Sequence, residues 1–483
     1  MNWVYFGFIF YLVLMFGIGV YTYFKKPVNN MEDFIVGDRS FGPFLSAFGV
    51  ATTLASGYAF IGLVGMGYLL GALALWQPIL SPLLEFVLWI TLAKKIRKYS
   101  LETNSLTPVE ILSKLRGDPY NLIKVIGGLA IAIFMFVYLA GNFVAGAKAA
   151  SILNIPYSQA VIITALVVIC YTFLGGVTAV LITDAIQGFL MVLTFIIVFV
   201  TALVQAGGFG DMIATLLQIK PLLVSWTGGK VGWPLAVSIM LWVGIALGFL
   251  GQPHAIQKFI SIKDNKSIPQ AALISILFNS IRQYFPIIIG MAGRIIFPDI
   301  SDPELIVPQM IGKFFPNIIG GIMLASIFAA IMSTTDSLLL QATSEISRNV
   351  IQLSLFKNIS QKASQWIIRI STLIIGGLGI YSAINGSKGV FSIIAFAFVG
   401  LTCAIAPAMF LGFYWKKTTS WGILSGIIVG IASTVVWKTY FTPITTLSEG
   451  VPSFIITVFT VVIISLVTQK VSIKATTNSD TTC

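Results

Sequence analysis

Some thirteen stretches of roughly 20 mainly apolar residues, separated by short polar loops, constrain this chain more than any motif does. A helix of that length matches the hydrocarbon thickness of a bilayer. Open strands are excluded, because lipid cannot satisfy their backbone groups. The expected fold class is therefore an all-α integral membrane protein. Spans are expected near 3–24, 43–70, 72–93, 122–143, 158–175, 178–204, 234–254, 269–293, 315–340, 366–385, 389–414, 420–438 and 452–469. Only 10% of the residues are charged, against roughly a quarter in soluble domains. The longest loops are too short for an independent folded core, which argues against a catalytic domain outside the membrane.

The formal charge of +12 invites a nucleic-acid reading, but the Lys and Arg sit in short loops between apolar runs. If every span crosses, Lys25, Lys26, Lys94, Lys95, Arg97, Lys98, Lys114 and Arg116 share one side with Lys258, Lys263, Lys266, Arg348, Lys357, Lys362, Lys416, Lys417 and Lys470. Asp299, Asp302 and Glu304 fall on the other. This is the positive-inside pattern; it places the N-terminus outside and the C-terminus in the cytoplasm of a multi-pass protein of the cell membrane, with no nucleic-acid partner. The first apolar run lacks a basic leader and a small-residue cleavage site, so it reads as a retained helix. One polytopic transmembrane domain is expected over 1–474, with a disordered cytoplasmic tail at 475–483. Cys170, Cys403 and Cys483 have no metal or disulfide spacing, and the single His254 excludes a multi-His metal site.

Two spans carry chemistry. The second contains Ala51-Thr52-Thr53-Leu54-Ala55-Ser56-Gly57-Tyr58, followed by Gly62, Gly65, Gly67 and Gly71. Small and hydroxylated residues in mid-membrane weaken a helix. Where a helix unwinds, freed carbonyls can coordinate a cation and freed N–H groups can meet an anionic solute. The alternative is close helix packing through small residues. The ninth span reads Ala329-Ala330-Ile331-Met332-Ser333-Thr334-Thr335-Asp336-Ser337. Ala330, Ser333 and Thr334 share a helix face and present one carbonyl and two hydroxyls, half of a cage for a hard cation. The alternative is local: Thr334 bonds back to the carbonyl of Ala330. Intramembrane carboxylates are costly and usually functional. Asp184 suits a cation exit path, Asp336 a second cation or a proton, and Glu85 a hydrogen bond inside the bundle. Arg282 either pairs with one of these acids or faces a wet cavity and holds a solute carboxylate.

These residues resemble the sodium:solute symporters, specifically the bacterial proline and pantothenate branches. The likeness runs along nearly the whole chain. The loop from Asp33 to Gly42 matches the family's first cytoplasmic loop. Tyr171-Thr172-Phe173-Leu174-Gly175-Gly176, with Ala179, Val180, Thr183, Asp184 and Gln187, looks like the family signature. Gly251-Gln252-Pro253-His254 is similar to the proline branch. Gly293-Arg294 and Phe297-Pro298-Asp299 are similar to the pantothenate branch, and Met332-Ser333-Thr334 to both.

The resemblance implies a LeuT-type fold: one leading helix, two inverted five-helix repeats at about 43–204 and 234–414, and two further helices at 420–469. It implies a sodium site made by backbone oxygens of Thr52, Ala55 and Ala330 and the hydroxyls of Ser333 and Thr334. For the solute it points to Ser56, Gly57 and Tyr58 at the first break, to Tyr138, to Phe249 and Gln252, and to Phe396 and Phe398, with Arg282 added from the residues themselves. The chain departs from proline carriers where Leu54 replaces Asp, Ile245 replaces Trp and Phe249 replaces Tyr. A more apolar pocket with an arginine favours a small carboxylate: a monocarboxylate, pantothenate, proline or another amino acid. The implied activity is sodium-coupled import by alternating access, with sodium as the co-transported ion and no organic cofactor. The rivals are proton coupling through Asp184 and Asp336 on the same fold, and a non-transporting membrane sensor. An enzyme is not expected, since no nucleophile–base pair is present.

Overall fold

The computed structural model describes residues 3–25, 31–356 and 360–479. Among them the secondary structure is helical throughout, apart from turns and one isolated bridge between Phe41 and Ile262. In chain order the main helices are α1 (Trp3–Lys25), α2 (Pro43–Thr53), α3 (Leu63–Leu70), α4 (Trp76–Leu88), α5 (Leu122–Ala149), α6 (Tyr157–Gln205) and α7 (Gly232–Leu247). They continue with α8 (Pro253–Ser261), α9 (Ser267–Ile296), α10 (Asn317–Ser344), α11 (Gln361–Asn385), α12 (Val390–Tyr414), α13 (Ser420–Val436) and α14 (Gly450–Ser479).

Among the described residues, ten helical stretches are long and apolar enough to cross a membrane, fewer than the thirteen expected. The count takes Tyr58–Thr103 as one stretch, although Gly71, with φ +58°, turns the chain between α3 and α4. It also leaves out Tyr157–Cys170 as short. That segment opens α6, whose 49 residues would span about 74 Å at 1.5 Å per residue, over twice the hydrocarbon core. Tyr157 donates a 2.9 Å hydrogen bond to the Ala383 carbonyl at the end of α11, while Ile169 lies deeper, against Gly376. In the second half Leu181 packs against Gly49, and Phe195 stacks on Phe60 at 3.8 Å, further along toward α3. Helix α14 runs on to Ser479, through the stretch 475–479 expected to be disordered; residues 480–483 lie outside the described residues.

Burial separates a core from a lipid-facing rim. The spanning windows of Ile318–Leu355, Val390–Tyr414 and Tyr58–Thr103 are 83%, 78% and 72% buried, whereas those of Trp366–Asn385 and Gly450–Gln469 are 33% and 28% buried. A helix apolar on every side needs protein around it or lipid; here α10 and α12 take the first solution and α14 the second.

Two core helices are interrupted. Between α2 and α3 the chain turns at Leu54 and Ala55, Ser56 adopts φ +50°, and a wide π-helical turn follows over Tyr58–Gly62. The Ala55 N–H bonds Thr52 O at 2.9 Å, one residue tighter than in an α-helix. The N–H groups that the break frees find side chains: Tyr58 donates to Ser56 Oγ at 3.0 Å and Gly57 to Asn142 Oδ1 at 3.1 Å. This is the unwinding that the run of small and hydroxylated residues predicts. The second break, between α7 and α8, falls at Gly251 and Gln252. Gly248 and Gly251 remove side chains there, and Pro253 fits the first turn of α8, where its missing N–H has no helical partner.

Candidate functional site

The first break meets α10. Thr334 Oγ1 donates across the interface to the Thr52 carbonyl at 3.4 Å, and Thr53 Oγ1 and Ser337 Oγ are 2.8 Å apart. Thr52, Ala55, Ala330, Ser333 and Thr334 are all fully buried. Of the two readings of Thr334, the local one does not occur: its side chain reaches Thr52, and the threonine that bonds back along the helix is Thr335, to Ile331 O at 2.6 Å. The structure thus brings the Ala330–Ser333–Thr334 face against the unwound Thr52–Ala55 segment. Neutral oxygens from two helices converge there, a donor set that suits a hard monovalent cation.

Asp184 joins this cluster from α6. Its Oδ1 accepts from Ser333 Oγ at 2.5 Å and its Oδ2 lies 3.4 Å from Lys258 Nζ on α8. Asp336, also fully buried, follows on α10; Tyr11 of α1 lies within electrostatic range of both acids and accepts from Gln187 Nε2 at 3.0 Å. The side chains of signature residues 171–176 lie outside the described set.

Beside the break, between α2, α4, α5, α7, α9 and α12, a narrow cavity is lined by Leu54, Tyr58, Gln77, Tyr138, Ile245, Phe249, Arg282, Ile394, Ala395 and Phe398. Its free volume, about 10 Å³, holds roughly one water. Nothing larger than a water fits unless these walls part. Five of the residues expected around the solute, Tyr58, Tyr138, Phe249, Arg282 and Phe398, stand in this wall.

Four others do not. Ser56 caps Tyr58 N, and Gly57 faces α5, where an added Cβ would lie 2.2 Å from Ala145 Cβ. Phe396 tilts against Phe134 at 5.9 Å. Gln252 fastens the second break: its Nε2 donates to Gly248 O at 2.8 Å and to Phe398 O at 2.9 Å. The structure adds Gln77, which shares one face of α4 with Ser81 and Glu85 at four-residue spacing and donates to Ser81 Oγ at 2.9 Å.

Among the described residues Arg282 has no direct ion pair with an acid; it bonds Asn279 and lines the closed cavity. Its guanidinium donates to Asn279 Oδ1, and Asn279 Nδ2 donates to Glu85, which also accepts from Ser275 at 2.5 Å and from Trp89 at 3.3 Å. Asn279 thus links the acid to the arginine inside the bundle, while the arginine lines the cavity and packs over Phe249, 5.6 Å from its ring centre. Three buried polar atoms on this wall have no hydrogen-bond partner among the described residues: Tyr58 Oη, Gln77 Oε1 and Arg282 Nε. Leaving such groups unpaired is unfavourable by about 1–3 kcal/mol each.

A membrane-embedded helical core with two broken helices and an oxygen-lined cluster beside a closed cavity defines a secondary carrier of the LeuT type. Residues 34–430 match the model of the sodium:solute symporter family, and the chain belongs to that family. It is 30% identical over 475 residues to the sodium/proline symporter of Staphylococcus aureus (strain JH9), covering 95% of this chain and 92% of that one. The fold is shared with a Na⁺-coupled sialic acid symporter in a substrate-bound outward-open state (TM-score 0.78, 19% identity, 98% of each chain). It is also shared with Mhp1, a nucleobase-cation-symport-1 family transporter, in a closed conformation (TM-score 0.53, 12% identity, 92% of this chain and 96% of that one). The protein is accordingly a sodium-coupled solute symporter, and not an enzyme.

Proposed function

We propose that this symporter imports a small carboxylate with an apolar part: proline, another amino acid, pantothenate or a monocarboxylate. One observation carries the reading. A single unwound segment supplies both sites, with Thr52 turned to the α10 hydroxyl face and Leu54 and Tyr58 turned to the cavity. A cation held by Thr52, Ala55, Ala330, Ser333 and Thr334 fixes the backbone that shapes the solute wall, so binding of one favours binding of the other. Arg282 Nε and Tyr58 Oη face the carboxylate, Gln77 Oε1 accepts from an amine or hydroxyl, and Phe249, Ile245 and Phe398 enclose the apolar part. The likeness to a sodium/proline symporter supports an amino acid. Leu54 and Ile245 make this wall more apolar than that of proline carriers.

The chain crosses thirteen times with its N-terminus outside and basic loops in the cytoplasm. Sodium enters from outside and ties the first break to α10; solute binding then permits the outer walls to close, and inward opening releases both. An inside-negative potential adds about 2.3 kcal/mol per charge per 100 mV to the drive. Proteoliposome uptake tests this. A sodium gradient drives accumulation of at least one of these carboxylates, a proton gradient alone does not, and Thr334→Ala raises the half-saturating sodium about tenfold or more. Uptake that follows pH and ignores sodium overturns the site.

A further inference from the structure

Lys258 is a buried cation close to a site read as holding a cation. Its side chain is 2% exposed, and its ion-pair partner is the fully buried Asp184, at 3.4 Å. That distance is long for a charge-assisted hydrogen bond, which settles near 2.7–2.9 Å. The other oxygen of the same carboxylate accepts the Ser333 hydroxyl at 2.5 Å. Ser333 precedes Thr334, whose hydroxyl meets Thr52 O. A continuous path therefore runs from the inner half of the second broken helix, α8, through Asp184 to the break in the first.

The chemistry of each link is specific. A serine hydroxyl has one proton and two lone pairs. Donating that proton to a carboxylate leaves both lone pairs for a metal and makes the oxygen a better ligand, as outer partners of metal sites do elsewhere. Asp184 is then the negative charge behind a cage of otherwise neutral oxygens. Lys258 discharges it. A lysine is a compact point charge on a flexible stem, held here through one oxygen, and exchanges with a metal ion more readily than a forked arginine does. The Gly49 backbone leaves room for the stem, with Lys258 Cδ 3.6 Å from where a Cβ would stand.

We propose that Lys258 is a tethered cation that competes with sodium for Asp184, and so sets how tightly the site holds sodium and when it lets go. With the ammonium on Asp184 the cage is weak and sodium leaves; with the ammonium withdrawn, the carboxylate charge holds sodium through Ser333. Because Lys258 rides on α8, movement of this inner half-helix changes sodium affinity. The proposal rests on the sodium site proposed above.

The test is a sodium titration of thermal stability on the purified full-length protein, with choline replacing sodium at constant ionic strength. Lys258→Gln lowers the half-saturating sodium tenfold or more and slows sodium-driven turnover, because release is impaired. Asp184→Asn raises it tenfold or more. Lys258→Arg keeps the charge but lets go of the carboxylate less readily, so it raises the half-saturating sodium threefold or more. In Asp184→Asn/Lys258→Gln the gain disappears and the midpoint equals that of Asp184→Asn alone. The double variant removes both buried charges together, so it reports even where Lys258→Gln alone fails to fold. A Lys258→Gln midpoint within twofold of the wild type, or a double variant that binds sodium more tightly than Asp184→Asn, overturns the proposal and leaves the sodium site standing. A wild type that sodium does not stabilise overturns both.

Discussion

Thr334 and Thr335 are adjacent threonines on α10 with different partners, and the difference gives an internal control. Thr335 spends its hydroxyl on Ile331 O, whereas Thr334 spans to Thr52 O. Thr334→Val keeps the shape and removes the oxygen; half-saturating sodium rises tenfold or more. Thr335→Val loses a hydrogen bond that the helix geometry makes redundant; sodium binding changes less than twofold in the same titration. Arg282 gives the matching prediction for the solute. Arg282→Gln removes the guanidinium facing the cavity while leaving an amide near Asn279, and KM for a carboxylate rises about tenfold or more, the range for losing one charged hydrogen bond. An unchanged KM with normal expression removes Arg282 from the solute site. The hydroxyl face of α10 and Arg282 were legible in the sequence because polar groups at helical spacing stand out in an apolar span. Gln77 carries the same signal, on one helix face with Ser81 and Glu85, but nothing in that spacing says which cavity the face meets. Ser56 and Gly57 were placed at the pocket by the family resemblance, and only three dimensions show that they turn toward the backbone and α5.

At the scale of elements, both breaks have local causes, and only one was read in advance. The hydroxyl- and glycine-rich stretch from Thr52 to Tyr58 announces the first. The second lies in Gly248-Phe249-Leu250-Gly251-Gln252-Pro253, where two glycines and a proline give an equally good signal that hydropathy alone passes over. The broken helix also needs a close neighbour, because its backbone is approached directly by α9. A Cβ added at Gly67 would lie 2.2 Å from Ile287 O, and one at Gly290 would lie 2.1 Å from Val64 O. In both cases the obstacle is backbone, which cannot swing aside. Gly67→Ala and Gly290→Ala each separate α3 from α9 and lower stability by about 1–3 kcal/mol, the usual result of overpacking. Gly42→Ala, where nothing lies within 4 Å, is the control. Melting temperatures in detergent, measured without sodium, separate this packing effect from ligand binding. Equal melting temperatures for Gly67→Ala and Gly42→Ala remove the close-packing argument.

At the scale of the whole molecule, the alternation of apolar runs and basic loops made the membrane fold legible, since it is set by the solvent and needs no knowledge of packing. What closes the cavity was not legible, because it joins residues far apart in the chain. Lys148 at the end of α5 contacts Asp302 at 2.7 Å and Glu304 at 2.6 Å. Glu304 accepts from the N–H groups of Val390 and Phe391, at 3.0 Å each, at the start of α12. That helix start favours a negative charge, and its N–H groups have no helical acceptors. Phe391 in turn stacks on Tyr58 at 5.3 Å and meets Trp242 edge-on at 6.1 Å. The acidic loop thus ties Lys148 to the first turn of α12, whose Phe391 packs on the cavity residue Tyr58. Glu304→Ala frees that turn, and the cavity opens more often. A cysteine at Ile394, in a background without the native thiols, reports the opening through its reaction with a membrane-impermeant maleimide. Labelling accelerates about tenfold in Glu304→Ala, the equivalent of about 1.4 kcal/mol, and does not change in Glu102→Gln, whose ion pair with Lys98 is exposed. Equal rates in the two variants mean that Phe391 and its ring contacts hold the roof without the acidic loop.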